Sequence, residues 1–96
     1  MLKDFLDTII LAELKNRSAL SGYDVIDFIH RKFGILISSG TVYALLYSME
    51  RNGLIKGVLH QRSRIYTLTD KGRDTINAIS KSKEEIQWFM GILIGS

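Results

Sequence analysis

Apolar residues between Leu2 and Leu14 fall at positions 2, 5, 6, 9, 10 and 14, the 3.6-residue period of a helix with one buried face. This predicts a first helix, which the polar and small stretch KNRSALSG interrupts. Ser21 can cap a second helix through its hydroxyl, with Val25, Ile26, Ile29 and Phe33 on the inner face and Gly34 as a left-handed stop. After ILI, Ser38 or Ser39 can cap a third helix. Its stripe of Val42, Leu45, Leu46 and Met49 keeps the i, i+3, i+4, i+7 spacing until Arg51, Asn52 and Gly53 close it.

Beyond Gly53 the period shortens to that of strands, and LIKGVL and RIYTL flank HQRS, a polar connection that predicts a hairpin. Thr69 and Asp70 then open a last helix. Ile76, Ile79, Ile86, Met90 and Leu93 take its heptad positions a, d, d, a and d, with Lys83 at the intervening a site. Three helices, a hairpin and a helix, without repeat or linker, make one unit over residues 1–96. The expected class is α+β: a winged helix-turn-helix of three helices plus a β-hairpin wing, extended by a C-terminal dimerisation helix over residues 70–94.

Composition narrows what such a unit can do. At 96 residues, 46% hydrophobic and 24% charged, the chain suits a single globular core. It has no cysteine, and its two histidines, His30 and His60, lack any metal-ligand spacing. No phosphate-cradling glycine loop or nucleophile elbow is present, so the sequence points away from an enzyme and from any metal or cofactor. The apolar runs TIILA and FMGILIG fall short of the roughly 20 residues that span a bilayer. MLKDFLD carries acids where a signal peptide carries bases, and a cytoplasmic location is expected.

The net charge of +3 is modest, but its distribution is uneven. Residues 1–48 hold five bases and five acids, residues 49–73 six and two, and residues 74–96 two and three. A local surplus of this kind suits an anionic contact. With its apolar stripe turned inward, the third helix presents Ser39, Gly40, Thr41, Tyr43, Ala44, Tyr47 and Arg51 outward. Hydroxyls, small side chains and arginine can reach base edges and phosphates in a major groove, although a tyrosine ring at 43 or 47 can equally pack against helix two or the hairpin. In the hairpin, Lys56, His60, Gln61, Arg62 and Arg64 crowd the loop without one acid. Double-stranded DNA is the expected partner, read by Ser39, Gly40, Thr41, Tyr43, Tyr47 and Arg51, with Lys56, Arg62 and Arg64 on the wing. The alternative is a winged-helix module that contacts another protein.

Four stretches carry a family resemblance: a Gly-Tyr before an apolar helix (Gly22, Tyr23), a S-x-G-T-x-Y helix start (Ser38, Gly40, Thr41, Tyr43), an E-x-x-G-L-I exit (Glu50, Gly53, Leu54, Ile55) and Y-x-L-T-x-x-G-R (Tyr66, Leu68, Thr69, Gly72, Arg73). Over about residues 8 to 73 the chain resembles the PadR-like winged-helix transcriptional regulators. Ser39 and Ala44 stand where that family often has proline. The resemblance implies a homodimeric regulator, usually a repressor, with its third helix in the major groove and its wing beside it. A single C-terminal helix matches the smaller members.

A dimer also makes physical sense, because a lone unit reads too few base pairs to select a site, whereas a twofold pair spans a pseudo-palindrome about 34 Å apart. The expected interface joins Ile76, Ile79, Ile86, Trp88, Phe89, Met90 and Leu93 of the last helix with Leu2, Phe5, Leu6 and Ile9 of helix one. Small members of the family that this chain resembles bind flat aromatic compounds at the dimer centre through a tryptophan on the last helix. Trp88 lies on that helix, off the heptad seam, and the resemblance implies a small aromatic effector near it.

Overall fold

In the computed structural model, which describes residues 2–79, the chain forms helices α1 (Leu2–Arg17), α2 (Gly22–Phe33) and α3 (Ser39–Arg51) and strands β1 (Leu20–Ser21), β2 (Ile55–His60) and β3 (Ser63–Leu68). Residues 70–79 are helical and are called α4. α1 ends as Ser18 turns left-handed at φ 74° and its N–H donates to the Leu14 carbonyl at 2.9 Å. α2 opens on a capping box. The Ser21 hydroxyl accepts from the Asp24 N–H, and the Asp24 carboxylate accepts from the Ser21 N–H, both at 3.0 Å, which satisfies two backbone donors that would otherwise be orphaned. Gly34 ends it at φ 67°, donating to the His30 carbonyl.

The expected hairpin is part of a larger sheet. β1, β3 and β2 lie antiparallel in that order, with Leu20 opposite Tyr66 and Ser21 opposite Ile65. The sequence reads KNRSALSG only as a break, because a strand of two residues has no period to detect; it exists because β3 offers an edge to pair with. The connection in the hairpin is also tighter than HQRS implies. His60 pairs with Ser63, leaving Gln61 and Arg62 as a two-residue turn with Gln61 at φ 57°.

α1, α2, α3, the sheet and α4 close around one core. The α3 stripe Val42, Leu45, Leu46 and Met49 is buried against Val25 and Ile29 of α2, Leu6, Ile10, Leu11 and Leu14 of α1, Leu20, Ile55 and Tyr66 of the sheet, and Ile76 of α4. Full burial contributes about 1.5–3 kcal/mol for each large apolar side chain. Two residues expected at a dimer seam are spent here: Leu6 is 4% exposed and Ile76 3%. A helix in a small domain first covers its neighbours in the same chain. Ile9 is partly buried against the same core, whereas Phe5 and Ile79 stay on the surface at 52% and 39% exposure. Leu2 begins α1, and Ile86, Trp88, Phe89, Met90 and Leu93, with the aromatic-effector expectation at Trp88, lie outside the described residues.

The α3–α4 junction explains a second group of motif residues. Asn52 caps α3, and Gly53 takes φ 75°. The Thr69 hydroxyl donates to the Gly53 carbonyl and accepts the Gly72 N–H at 3.0 Å, while the Thr69 N–H donates to the Leu54 carbonyl at 3.2 Å. One threonine therefore caps α4 and ties it to the exit of α3.

Candidate nucleic-acid interface

The N-terminus of α3 is built by Ser38, the first of the two candidate caps. Its hydroxyl accepts the Thr41 N–H at 3.1 Å and shares a 2.7 Å hydrogen bond with the Thr41 hydroxyl. The Val42 N–H returns to the Ser38 carbonyl. This leaves the Ser39 hydroxyl clear of the cap, and Ser39, Gly40 and Thr41 are all exposed. A Cβ added at Gly40 would meet nothing within 4 Å. The fold thus gives no steric reason for glycine there, although glycine within a helix costs about 0.5–1 kcal/mol relative to alanine.

Farther along, Tyr43, Tyr47 and Glu50 follow one another at i, i+4, i+7 on the flank facing the wing. With Arg51, Arg64 and Tyr66 they line a cleft of about 530 Å³. The guanidinium of Arg51 lies 5.8 Å from the centre of the Tyr47 ring, a cation–π distance that holds the charge at the mouth of the cleft. Tyr43 also borders a second cleft, of about 270 Å³, with Gly22 and Tyr23 at the start of α2 and Leu59, Arg62 and Ser63 at the wing tip. Its ring rests on bare backbone, since a Cβ at Gly22 would fall 2.5 Å from the Tyr43 Cε1. The packing alternative foreseen for the tyrosines thus holds in part for Tyr43, which remains half exposed.

Register decides what the wing presents. Ile55, Gly57 and Leu59 oppose Leu68, Tyr66 and Arg64, and Lys56, Val58 and His60 oppose Thr67, Ile65 and Ser63. Neighbouring residues in a strand point to opposite faces, so Leu59 and Arg64 share the face turned to α3 and Lys56 belongs to the other. Lys56 and Arg64, both expected to touch DNA, therefore lie on opposite faces of the wing. Arg62 sits at the tip. Among the described residues, Arg51, Lys56 and Arg62 form no ion pair, while Arg64 does: its Nε donates to Glu50 Oε1 at 3.2 Å and its Nη2 to Glu50 Oε2 at 2.8 Å. These hydrogen bonds hold the Glu50 carboxyl below its ordinary pKa. Burial, reinforced by the Glu50 charge, pushes the Tyr66 phenol above its own, and it remains a neutral hydroxyl.

The sequence reading missed Glu50, Leu59, Tyr23 and Tyr66 as parts of these clefts. One signal was available: Gly57 interrupts a strand, which marks a close approach of other atoms. Among the described residues there is no group of three metal-ligating side chains and no helix long and apolar enough to cross a membrane.

No curated protein sequence matches the chain, but solved structures do. A PadR-like transcriptional regulator from Bacillus cereus is 25% identical and superposes at a TM-score of 0.79, with 100% of this chain and 97% of that one covered. A PadR family transcription regulator from Clostridium difficile shares the fold at 22% identity and a TM-score of 0.79, covering 94% and 98%. The PadR of Bacillus subtilis, solved in complex with operator DNA, is 23% identical at a TM-score of 0.64, with 77% of this chain and 45% of that protein covered. Residues 10–78 match the model of the transcriptional regulator PadR-like family, a family of transcription regulators and not of enzymes. With a winged-helix fold and a family match over most of its length, the chain belongs to the PadR-like family of transcriptional regulators.

Proposed function

We propose that this chain is a cytoplasmic, sequence-specific duplex-DNA-binding regulator that represses transcription as a homodimer on a pseudo-palindromic operator. One observation carries the reading: the flank of α3 from Ser39 to Arg51 is open, with Ser39, Gly40, Thr41, Tyr43, Tyr47 and Arg51 all exposed. A helix with such a flank fits a major groove, and the Bacillus subtilis relative solved with operator DNA supports the same use. Arg62 at the wing tip and Lys56 on the wing's far side suit the flanking phosphates. Phe5 and Ile79 supply exposed apolar surface for a second copy, and the two reading helices of such a pair would meet successive half-sites.

The direct test is binding of labelled duplex DNA over a salt series. The logarithm of the association constant should fall linearly with the logarithm of salt concentration, at about −0.9 per neutralised phosphate. A flat response, or no retention on duplex at low salt, would favour a protein partner instead. Gly40→Ala provides a sharper test. Because a Cβ there meets open space, it should stabilise the fold by about 0.5–1 kcal/mol and yet weaken DNA binding by holding the helix away from the groove. Unchanged affinity in this variant would remove the reading helix from the interface.

A further inference from the structure

We infer that Arg64 is a positioning residue rather than a phosphate contact: clamped by Glu50 over Gly57, it fixes the angle between the reading helix and the wing. The geometry is that of a strut. Both donors of the guanidinium fork engage both carboxylate oxygens, at 3.2 and 2.8 Å, the paired arrangement that gives arginine its directional hold. The other ion pairs among the described residues, Glu13–Arg17 and Asp27–Arg31, lie within single helices, whereas Glu50–Arg64 joins α3 to β3.

The strand beneath is shaped around this pair. A Cβ on Gly57 would stand 2.5 Å from Arg64 Nε, 2.9 Å from Glu50 Oε1 and 3.0 Å from the buried Tyr66 ring. A side chain at 57 and the ion pair cannot share that space. Charge leads to the same conclusion. With Nε and Nη2 engaged by Glu50, Arg64 can reach a phosphate only through its remaining N–H groups, and the carboxylate beside it offsets its charge. The pair is therefore electrically neutral toward DNA, and Arg51 and Arg62 carry the cleft's usable charge. What the strut sets is where Leu59 and Arg62 stand relative to Tyr43 and Tyr47.

The functional consequence rests on the DNA-binding reading, so the experiment has one arm with DNA and one without. Glu50→Gln, Arg64→Gln and the double variant are first checked for unchanged far-UV circular dichroism. In the DNA arm, a strut predicts that the double variant, which like the intact pair carries no net charge, weakens binding to the preferred sequence by about two- to fivefold with the salt slope at the wild-type value. If Arg64 instead grips a phosphate, the double variant lowers the slope by about 0.9. That pattern overturns the proposal. In the DNA-free arm, amide order parameters of residues 60–63 should fall in both single variants on the nanosecond scale; unchanged order there also overturns it. Wild-type protein that ignores duplex DNA would refute the function proposed above and leave the DNA-free arm to decide on the strut.

Discussion

Gly72→Ala is expected to unfold this protein at temperatures where the wild type is intact, lowering the melting temperature by about 15 °C or more. Gly72 is buried in the first turn of α4, and an added Cβ would lie 1.9 Å from the Leu54 carbonyl oxygen and 3.0 Å from its carbon. Those are backbone atoms and cannot rotate away. The carbonyl also accepts the Thr69 N–H, and around it the Thr69 hydroxyl holds Gly53, the Gly72 N–H holds Thr69, and the Lys71 ammonium donates to the Asn52 carbonyl at 2.8 Å. Moving α4 far enough to admit a methyl group breaks several of these bonds, at about 1 kcal/mol each. It also disturbs Ile55 and Ile76, both in the core. A loss of about 3–5 kcal/mol from a domain of about 5–15 kcal/mol total stability is the expected scale. Thermal unfolding followed by circular dichroism measures it, with Gly40→Ala as the matched control expected to move the other way. A drop smaller than about 5 °C would mean that the junction yields where it is argued to be rigid.

Replacing Arg51 and Arg62 together by alanine is expected to weaken DNA binding by about 100-fold or more at moderate salt, since each charge-assisted contact contributes about 1.5–3 kcal/mol. These are the two cleft arginines without an ion-pair partner among the described residues. Arg51 is held in place by the Tyr47 ring, so little side-chain freedom is lost on binding. Arg62 projects from a two-residue turn whose strands are paired up to His60 and Ser63. Both are exposed, and the fold should not register their loss. The effect should extend across all sequences, because phosphates carry no sequence information, and the salt slope should shrink by about 0.9 for each phosphate lost. Isothermal titration of specific and random duplexes would show this; an unchanged slope would place the phosphate track elsewhere on the surface.

The residues legible in advance were those whose role is set within one turn of chain. The α3 stripe, the Ser21 cap, the Gly34 and Gly53 stops and the outward flank of α3 follow from helical period and from backbone groups a few positions away. The wing was legible only as an alternation; its tightness and parity were not, because a shift of one residue exchanges its two faces. Only the register therefore shows that Lys56 and Arg64 lie on opposite faces of the wing. That Leu6 and Ile76 are covered within the chain was not legible for a related reason: an apolar position on a helix predicts burial, not the surface that covers it.

By itself, then, the sequence determined that three helices precede the hairpin, where α2 and α3 are capped, and which side of α3 its own core does not use. Tertiary structure alone decided that β1 exists, that Glu50 meets Arg64 across fourteen positions of chain, that Gly72 must admit the Leu54 carbonyl, and that Leu6 and Ile76 belong to the interior. The division is physical. Periodicity and capping depend on neighbours that covalent geometry supplies, whereas pairing, register and close approach depend on atoms that only folding brings together.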